Sequence, residues 1–251
     1  MTKTTARLIG VGVGPGDPEL ITVKGMKAIQ SADIVVYHET EKHKSNALDI
    51  ARCFISKKAL LQPLTYPVTT ETDSNSEFYK RQLNNFYKNS EQLIDSFLKN
   101  GKTVVVLAEG DPLFYSSFMY IYDRLGNDYA TEIIPGISSI FGAASVLQTP
   151  LCYRNQSFTV LSGVLDKQRL IEKLQNGDAF AILKVGRNLD KIKDVLQMTG
   201  LFKRALYIER ATMAEQKIIP LTKVGSHQSP YFSLILIPGQ NPQKMDENIV
   251  Y

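Results

Sequence analysis

The first strand–helix–strand stretch constrains the fold more than any other feature of this chain. Residues 6–13, ARLIGVGV, have the continuous apolar character of a buried strand. Asp17 can cap the helix that follows, with Pro18 at its first position and Glu19 in the favourable first turn. That helix is expected to run to about Ser31, and ADIVVYH (32–38) is a second strand. A strand, helix and strand at this spacing form a βαβ unit, which demands a parallel pair and a right-handed crossover.

The turn inside this unit, GVGVGPGDPEL (10–20), places glycines at alternate positions like a dinucleotide loop. The required Gly-x-Gly-x-x-Gly fails in every register: its last position is Pro15, Asp17 or Glu19. Pro15 and Pro18 also remove backbone N–H groups that a phosphate would use, and two acids stand where it would sit. A nicotinamide-dependent oxidoreductase is therefore disfavoured. What remains is a loop that lets a ligand approach a strand end without offering it an anion hole.

Two more loops have the same character. AEGDPLFY (108–115) follows the apolar run KTVVVLAEG, and EIIPGISS (132–139) joins a short strand to a helix over SSIFGAASVL. Ligands of open α/β sheets bind at such strand ends. Acids and prolines there suit a neutral or cationic ligand, such as a sulfonium cofactor, better than a polyphosphate. A non-catalytic interaction module would leave the three loops unexplained beyond turn chemistry.

Elsewhere, apolar spacing predicts a helix from Ser76 to Lys99 stopped by Gly101, and another over FYSSFMYIYDRL (114–125). Residues 41–72, with the turn-rich PLTYPVTTETD, read as an excursion from the core. The second half gives strands at SFTVLSGV, DAFAILKV, ALYIER, KIIPL and YFSLILI, with helices over 166–175 and from Asn188. The expected architecture is two α/β domains: residues 1–150 with a mostly parallel sheet, and residues 151–251 with a mixed one. QTPLCYRN (148–155) is the candidate linker.

With 251 residues, 43% hydrophobic and 22% charged, the chain has an ordinary globular composition. No apolar run approaches the roughly 20 residues that cross a bilayer, and MTKTTARLIGVGVG lacks a signal peptide's apolar segment. Cys53 and Cys152 stand far apart, with no metal-ligand spacing, so a reduced cytoplasmic setting and no metal site are expected. A net charge of +4 without clustered arginines argues against nucleic acid and is compatible with an acidic small molecule.

The ordered set GVGPGDPELITVKGMKAIQSADIVVYH, EGDPLFY, IPGISS, AILKVGRN and YIERATM resembles the tetrapyrrole (corrin/porphyrin) methylase family over essentially the whole chain. GDPLFYSSFMYIYDRL, AILKVGRNLDKI, IERATM and the PLTYPVTTETD excursion are most similar to the branch that methylates carbon 20 of precorrin-2 or its cobalt complex. The resemblance implies a homodimer, S-adenosylmethionine held in a cleft between the two domains, S-adenosylhomocysteine as product, and a role in cobalamin synthesis. A methylase acting at another tetrapyrrole position is the nearest alternative.

Carried over by motif, Pro15 belongs to the first loop, beside the substrate trough. Glu109, Gly110, Asp111, Phe114 and Tyr115 line the cofactor, Ser138 and Ser139 contact it, and Lys184, Val185, Ala211 and Thr212 close over it. Where several relatives of the uroporphyrinogen branch carry Asp at the end of the second strand, this chain has His38, a candidate base because imidazole titrates near neutral pH. Lys42, Lys44 and Arg154 are candidates for binding substrate carboxylates, and His43 and His227 are assigned no role.

Overall fold

The structure is a computed structural model that describes residues 6–41, 43–67, 76–225 and 229–243. Lys42, His227 and the 68–73 part of PLTYPVTTETD lie outside the described residues. The chain divides into two compact units, Met1–Ser138 and Ser139–Tyr251.

The first unit carries β1 (Arg7–Gly12), α1 (Val23–Ser31), β2 (Ile34–Thr40), α2 (Asn46–Ala51), β3 (Leu60–Tyr66), α3 (Glu77–Lys99), β4 (Thr103–Ala108), α4 (Phe118–Leu125) and β5 (Ala130–Ile134). Its five strands are parallel and ordered β3-β2-β4-β1-β5. Ile9, Val11, Val35, Val105 and Leu107 pack against α1 and α2 on one face. Leu8, Ile34, Val36, Val104 and Val106 meet α3 and α4 on the other. Burial on both faces is why these strands read as unbroken apolar runs.

Neighbouring strands β1 and β4 lead to helices on opposite faces, since α1 joins the first layer and α4 the second. Their loops therefore part at the carboxyl ends of the strands and leave the crevice in which open α/β sheets hold ligands.

Three local expectations need correction. The helix expected from Pro18 to Ser31 is interrupted: a short 3-10 turn over Pro18–Leu20 ends at extended Ile21, and α1 starts afresh with Thr22 accepting the Gly25 N–H at 3.0 Å. Residues 41–72 are not merely an excursion. They include α2, whose Ala47, Leu48, Ile50 and Ala51 are buried, and β3, an edge strand. Pro63 breaks the strand signal of β3, and proline is tolerated in sheets mainly at such edges. The helix expected over 114–125 begins only at Phe118, because Tyr115 adopts φ 53° and the Ser116 hydroxyl accepts the Phe118 N–H at 3.2 Å.

The second unit carries α5 (Ser139–Val146), β6 (Phe158–Ser162), α6 (Lys167–Gln175), β7 (Ala179–Leu183), α7 (Leu189–Met198), β8 (Leu206–Glu209), β9 (Lys217–Ile219) and β10 (Ser233–Ile237). Its sheet is mixed and ordered β6-β7-β10-β8-β9, with β6 and β7 parallel and β10 antiparallel to both neighbours. Helices α6 and α7 cover one face, while Ile140 and Ala143 of α5 pack with Ala181, Ile208 and Leu236 on the other. Because β7 and β8 run the same way on either side of β10, the loops after them leave the same edge of the sheet.

Candidate functional site

In the first unit the three glycine- and proline-bearing loops meet. Gly14 and Gly110 exchange backbone hydrogen bonds, at 2.9 Å from Gly110 N–H and 3.3 Å from Gly14 N–H, and Gly14 holds φ 77°. A Cβ on Gly12 would lie 2.5 Å from Gly136 N and 2.6 Å from Gly110 O; one on Gly136 would lie 2.0 Å from Gly110 O. Close backbone approach, not phosphate binding, therefore explains why the opening loop is rich in glycine. Pro15 is buried beside this junction.

Asp111 ties the junction together. One carboxylate oxygen accepts the Leu113 N–H at 2.9 Å and the other accepts the Gly136 N–H at 3.0 Å. Glu109 meets the start of α2, where the Ala47 N–H and the Asn46 side chain are its hydrogen-bond partners. Protein packed around its carboxyl raises the pKa, and those hydrogen bonds partly oppose the rise. Both acids thus carry structural duties that spacing did not reveal.

Beyond them, Leu113, Phe114 and Tyr115 form an exposed apolar lip, with the two rings 4.9 Å apart and edge-on. Exposed aromatic surface beside a crevice of fixed polar groups suits a ligand with flat apolar parts. Ser138 closes the third loop and ends the first unit; Ser139 opens α5 in the second.

His38 lies near the end of β2, opposite Leu64 of β3. Its ring stacks on Tyr66 at 5.5 Å and tilts against Phe86 at 6.2 Å. Its Nε2 is buried without a hydrogen-bond partner, and burial lowers its pKa from 6.5 to about 4. The imidazole is therefore neutral at pH 7, and its basicity is weaker than the sequence suggested. His43 is exposed and closes a turn with Thr40 through reciprocal backbone hydrogen bonds, and Lys44 and Arg154 are exposed.

In the second unit, Lys184 and Val185 follow β7, while Ala211 and Thr212 follow β8. Lys184, Arg210 and Thr212 hold φ of 57°, 47° and 68°, a conformation that is costly for side chains with a Cβ and a genuine outlier for β-branched Thr. The Lys184 turn is held by Asn188, whose side-chain amide donates to Lys184 O at 2.9 Å. The Thr212 N–H donates to Gln216 Oε1 at 2.8 Å.

Sequence reasoning missed Glu209, a buried carboxylate at the end of β8. It accepts the Tyr207 hydroxyl at 2.8 Å, and that hydroxyl lies 3.0 Å from Ser229 Oγ. Burial is the main reason the Tyr207 pKa is pushed up to about 12. The available signal was a lone acid ending the apolar strand LYIE.

Among the described residues, no group of three or more His, Cys, Asp or Glu side chains could hold a metal ion, and no helix is long and apolar enough to cross a membrane.

Residues 7–225 match the family described as Tetrapyrrole (Corrin/Porphyrin) Methylases. The precorrin-2 C(20)-methyltransferase of Sinorhizobium sp is 41% identical over 233 residues, 93% of this chain and 95% of that protein. The cobalt-precorrin-2 C(20)-methyltransferase of Salmonella typhimurium is 27% identical over 237 residues, 93% of this chain and 97% of that protein. Among solved structures, a uroporphyrin-III C-methyltransferase from Thermus thermophilus in complex with S-adenosylhomocysteine has a TM-score of 0.64 at 21% identity, covering 92% of this chain and 96% of that one.

Proposed function

This chain belongs to the tetrapyrrole (corrin/porphyrin) methylases, and we propose that it transfers a methyl group from S-adenosylmethionine to carbon 20 of precorrin-2 in cobalamin synthesis. The observation that carries this reading is 41% identity, across nearly the full length of both chains, to a protein named for that reaction. The lower identity of the cobalt-named relative, 27%, favours the metal-free substrate. The chain works as a cytoplasmic homodimer in this reading.

On the first unit, Pro15, Glu109, Gly110, Asp111, Phe114, Tyr115 and Ser138 are the proposed cofactor-side residues; on the second, Ser139, Lys184, Val185, Ala211 and Thr212. The apolar lip fits the adenine part of such a molecule, and the prolines and acids of the first loop (Pro15, Asp17, Pro18, Glu19) suit its sulfonium better than a phosphate. When bound, S-adenosylmethionine supplies an electrophilic methyl carbon on a cationic sulfur and is left as the neutral thioether.

The electron-rich meso carbon is itself the nucleophile, so no activated Ser or Cys is needed. The protein's task is to orient the reacting centres and exclude water, and correct placement supplies several kcal/mol of the barrier. Lys44, Arg154 and Lys42 are the cations offered to substrate carboxylates. His38, neutral above about pH 4, is the proposed acceptor for the proton lost from the methylated carbon.

Anaerobic incubation with S-adenosylmethionine and precorrin-2, with and without cobalt, tests the reading. A product carrying one added methyl at carbon 20, located by carbon-13 labelling, is expected. Methylation at another carbon, or tight binding of NAD with none of S-adenosylhomocysteine, overturns it. If His38 is the proton acceptor, the acidic limb of the rate profile falls near pH 4 and not 6.5, and His38→Ala loses most of the rate.

A further inference from the structure

Tyr66, at the end of edge strand β3, reaches across the first unit to the start of α4. Its hydroxyl is hydrogen-bonded to Ser117 Oγ and lies 3.4 Å from the Tyr87 hydroxyl of α3. The same ring stacks on Phe86 at 4.5 Å and on His38 at 5.5 Å.

The two serines before α4 divide their work. Ser116 caps the helix by accepting the Phe118 N–H, and Ser117 makes no cap hydrogen bond. The Ser117 hydroxyl is thereby committed to the tyrosines. It stands two residues after Tyr115, whose left-handed backbone needs support from its surroundings. The loop Glu109–Tyr115 is thus pinned from within, by Asp111 to Gly136, and from the residues just after it, by Ser117 to Tyr66.

We infer that Tyr66 is a positioning residue for the loop Glu109–Tyr115, acting through the Ser117 hydroxyl, and that it joins the His38 strand end to the cofactor-side loop. The inference rests on the reading that this loop holds S-adenosylmethionine. Tyr66→Phe removes one hydroxyl and keeps the stacked ring, so the fold should survive.

The test joins amide hydrogen exchange of the free protein with kinetics. In Tyr66→Phe and in Ser117→Ala, exchange at Leu113 and Phe114 should quicken by about tenfold, the effect of losing one hydrogen bond. The KM for S-adenosylmethionine should rise by about tenfold with kcat changed less than about twofold. Ser117→Thr should restore both, and the double variant Tyr66→Phe/Ser117→Ala should be no worse than either single one. Unchanged exchange overturns the inference, as does faster exchange with an unchanged KM, or a loss of thermal stability alone. Failure of the wild-type protein to bind S-adenosylhomocysteine in calorimetry would instead overturn the functional reading, while the exchange data would still decide whether Tyr66 holds the loop.

Discussion

The two units solve one problem, holding loops at the edge of a sheet, with different emphasis. In the first, loops are locked by what is missing: glycines without Cβ let the Gly12, Gly110 and Gly136 backbones touch. In the second, ordinary side chains at Lys184, Arg210 and Thr212 are forced into left-handed backbone, a device that the described residues of the first unit use only at Tyr115. The first device is written in residue type and can be read from the sequence. The second is written in conformation, supported by Asn188 and Gln216, and cannot. Strain kept in non-glycine residues is found where surrounding structure over-determines a functional loop.

One methyl group added to a glycine in each unit separates the two devices most clearly. Gly136→Ala puts a Cβ 2.0 Å from Gly110 O and 2.7 Å from Gly12 Cα, so all three loops must separate. A loss of about 3 kcal/mol or more, with S-adenosylhomocysteine binding abolished, is expected in urea unfolding and calorimetry. Gly200→Ala meets a left-handed site, φ 72°, but no atom lies within 4 Å of the added group. It should cost only about 1 kcal/mol, from the backbone conformation alone. Equal losses would show that crowding is not what organises the first unit.

Acid separates the units next. His38 has its pKa lowered to about 4 from 6.5 in the first unit, because burial disfavours the charged ring. A lowered histidine pKa leaves stability intact above the unfolded value of 6.5. Between there and about 4 the unfolded chain binds the extra proton, so stability falls as pH falls. Over that window the first unit should lose about 3 kcal/mol, and His38→Leu should abolish that part of the loss. Unfolding followed by tyrosine fluorescence at pH 7 and pH 4.5 measures it. An acid loss identical in His38→Leu would place the sensitive group elsewhere.

How far the sequence could be read follows the same division. Strands β1, β2 and β4 were legible because both faces are buried, and α3 because its apolar spacing ends at Gly101, which holds φ 73°. Strand β3 was not, because Pro63 breaks its pattern at a sheet edge, where the missing N–H costs little. The motif EGDPLFY marked a candidate ligand loop. It could not show that the Asp111 carboxylate holds the Gly136 N–H or that Glu109 meets α2, since those partners are distant in the chain. Likewise the rings that surround His38, Tyr66 and Phe86, come from β3 and α3 and are distant from it in the chain.

The strained loop after β8 responds more weakly to substitution. Thr212→Gly relieves a left-handed β-branched residue at the price of a more flexible unfolded chain, so the second unit should gain only about 0.5–1 kcal/mol. Affinity for S-adenosylhomocysteine should nonetheless fall several-fold, because a loop free to leave the left-handed region is no longer prearranged for its ligand. Stability and binding moving in opposite directions is the signature of strain kept for function. If both fall together, packing around Gln216, not stored strain, fixes this loop, and the two units differ less than their backbones suggest.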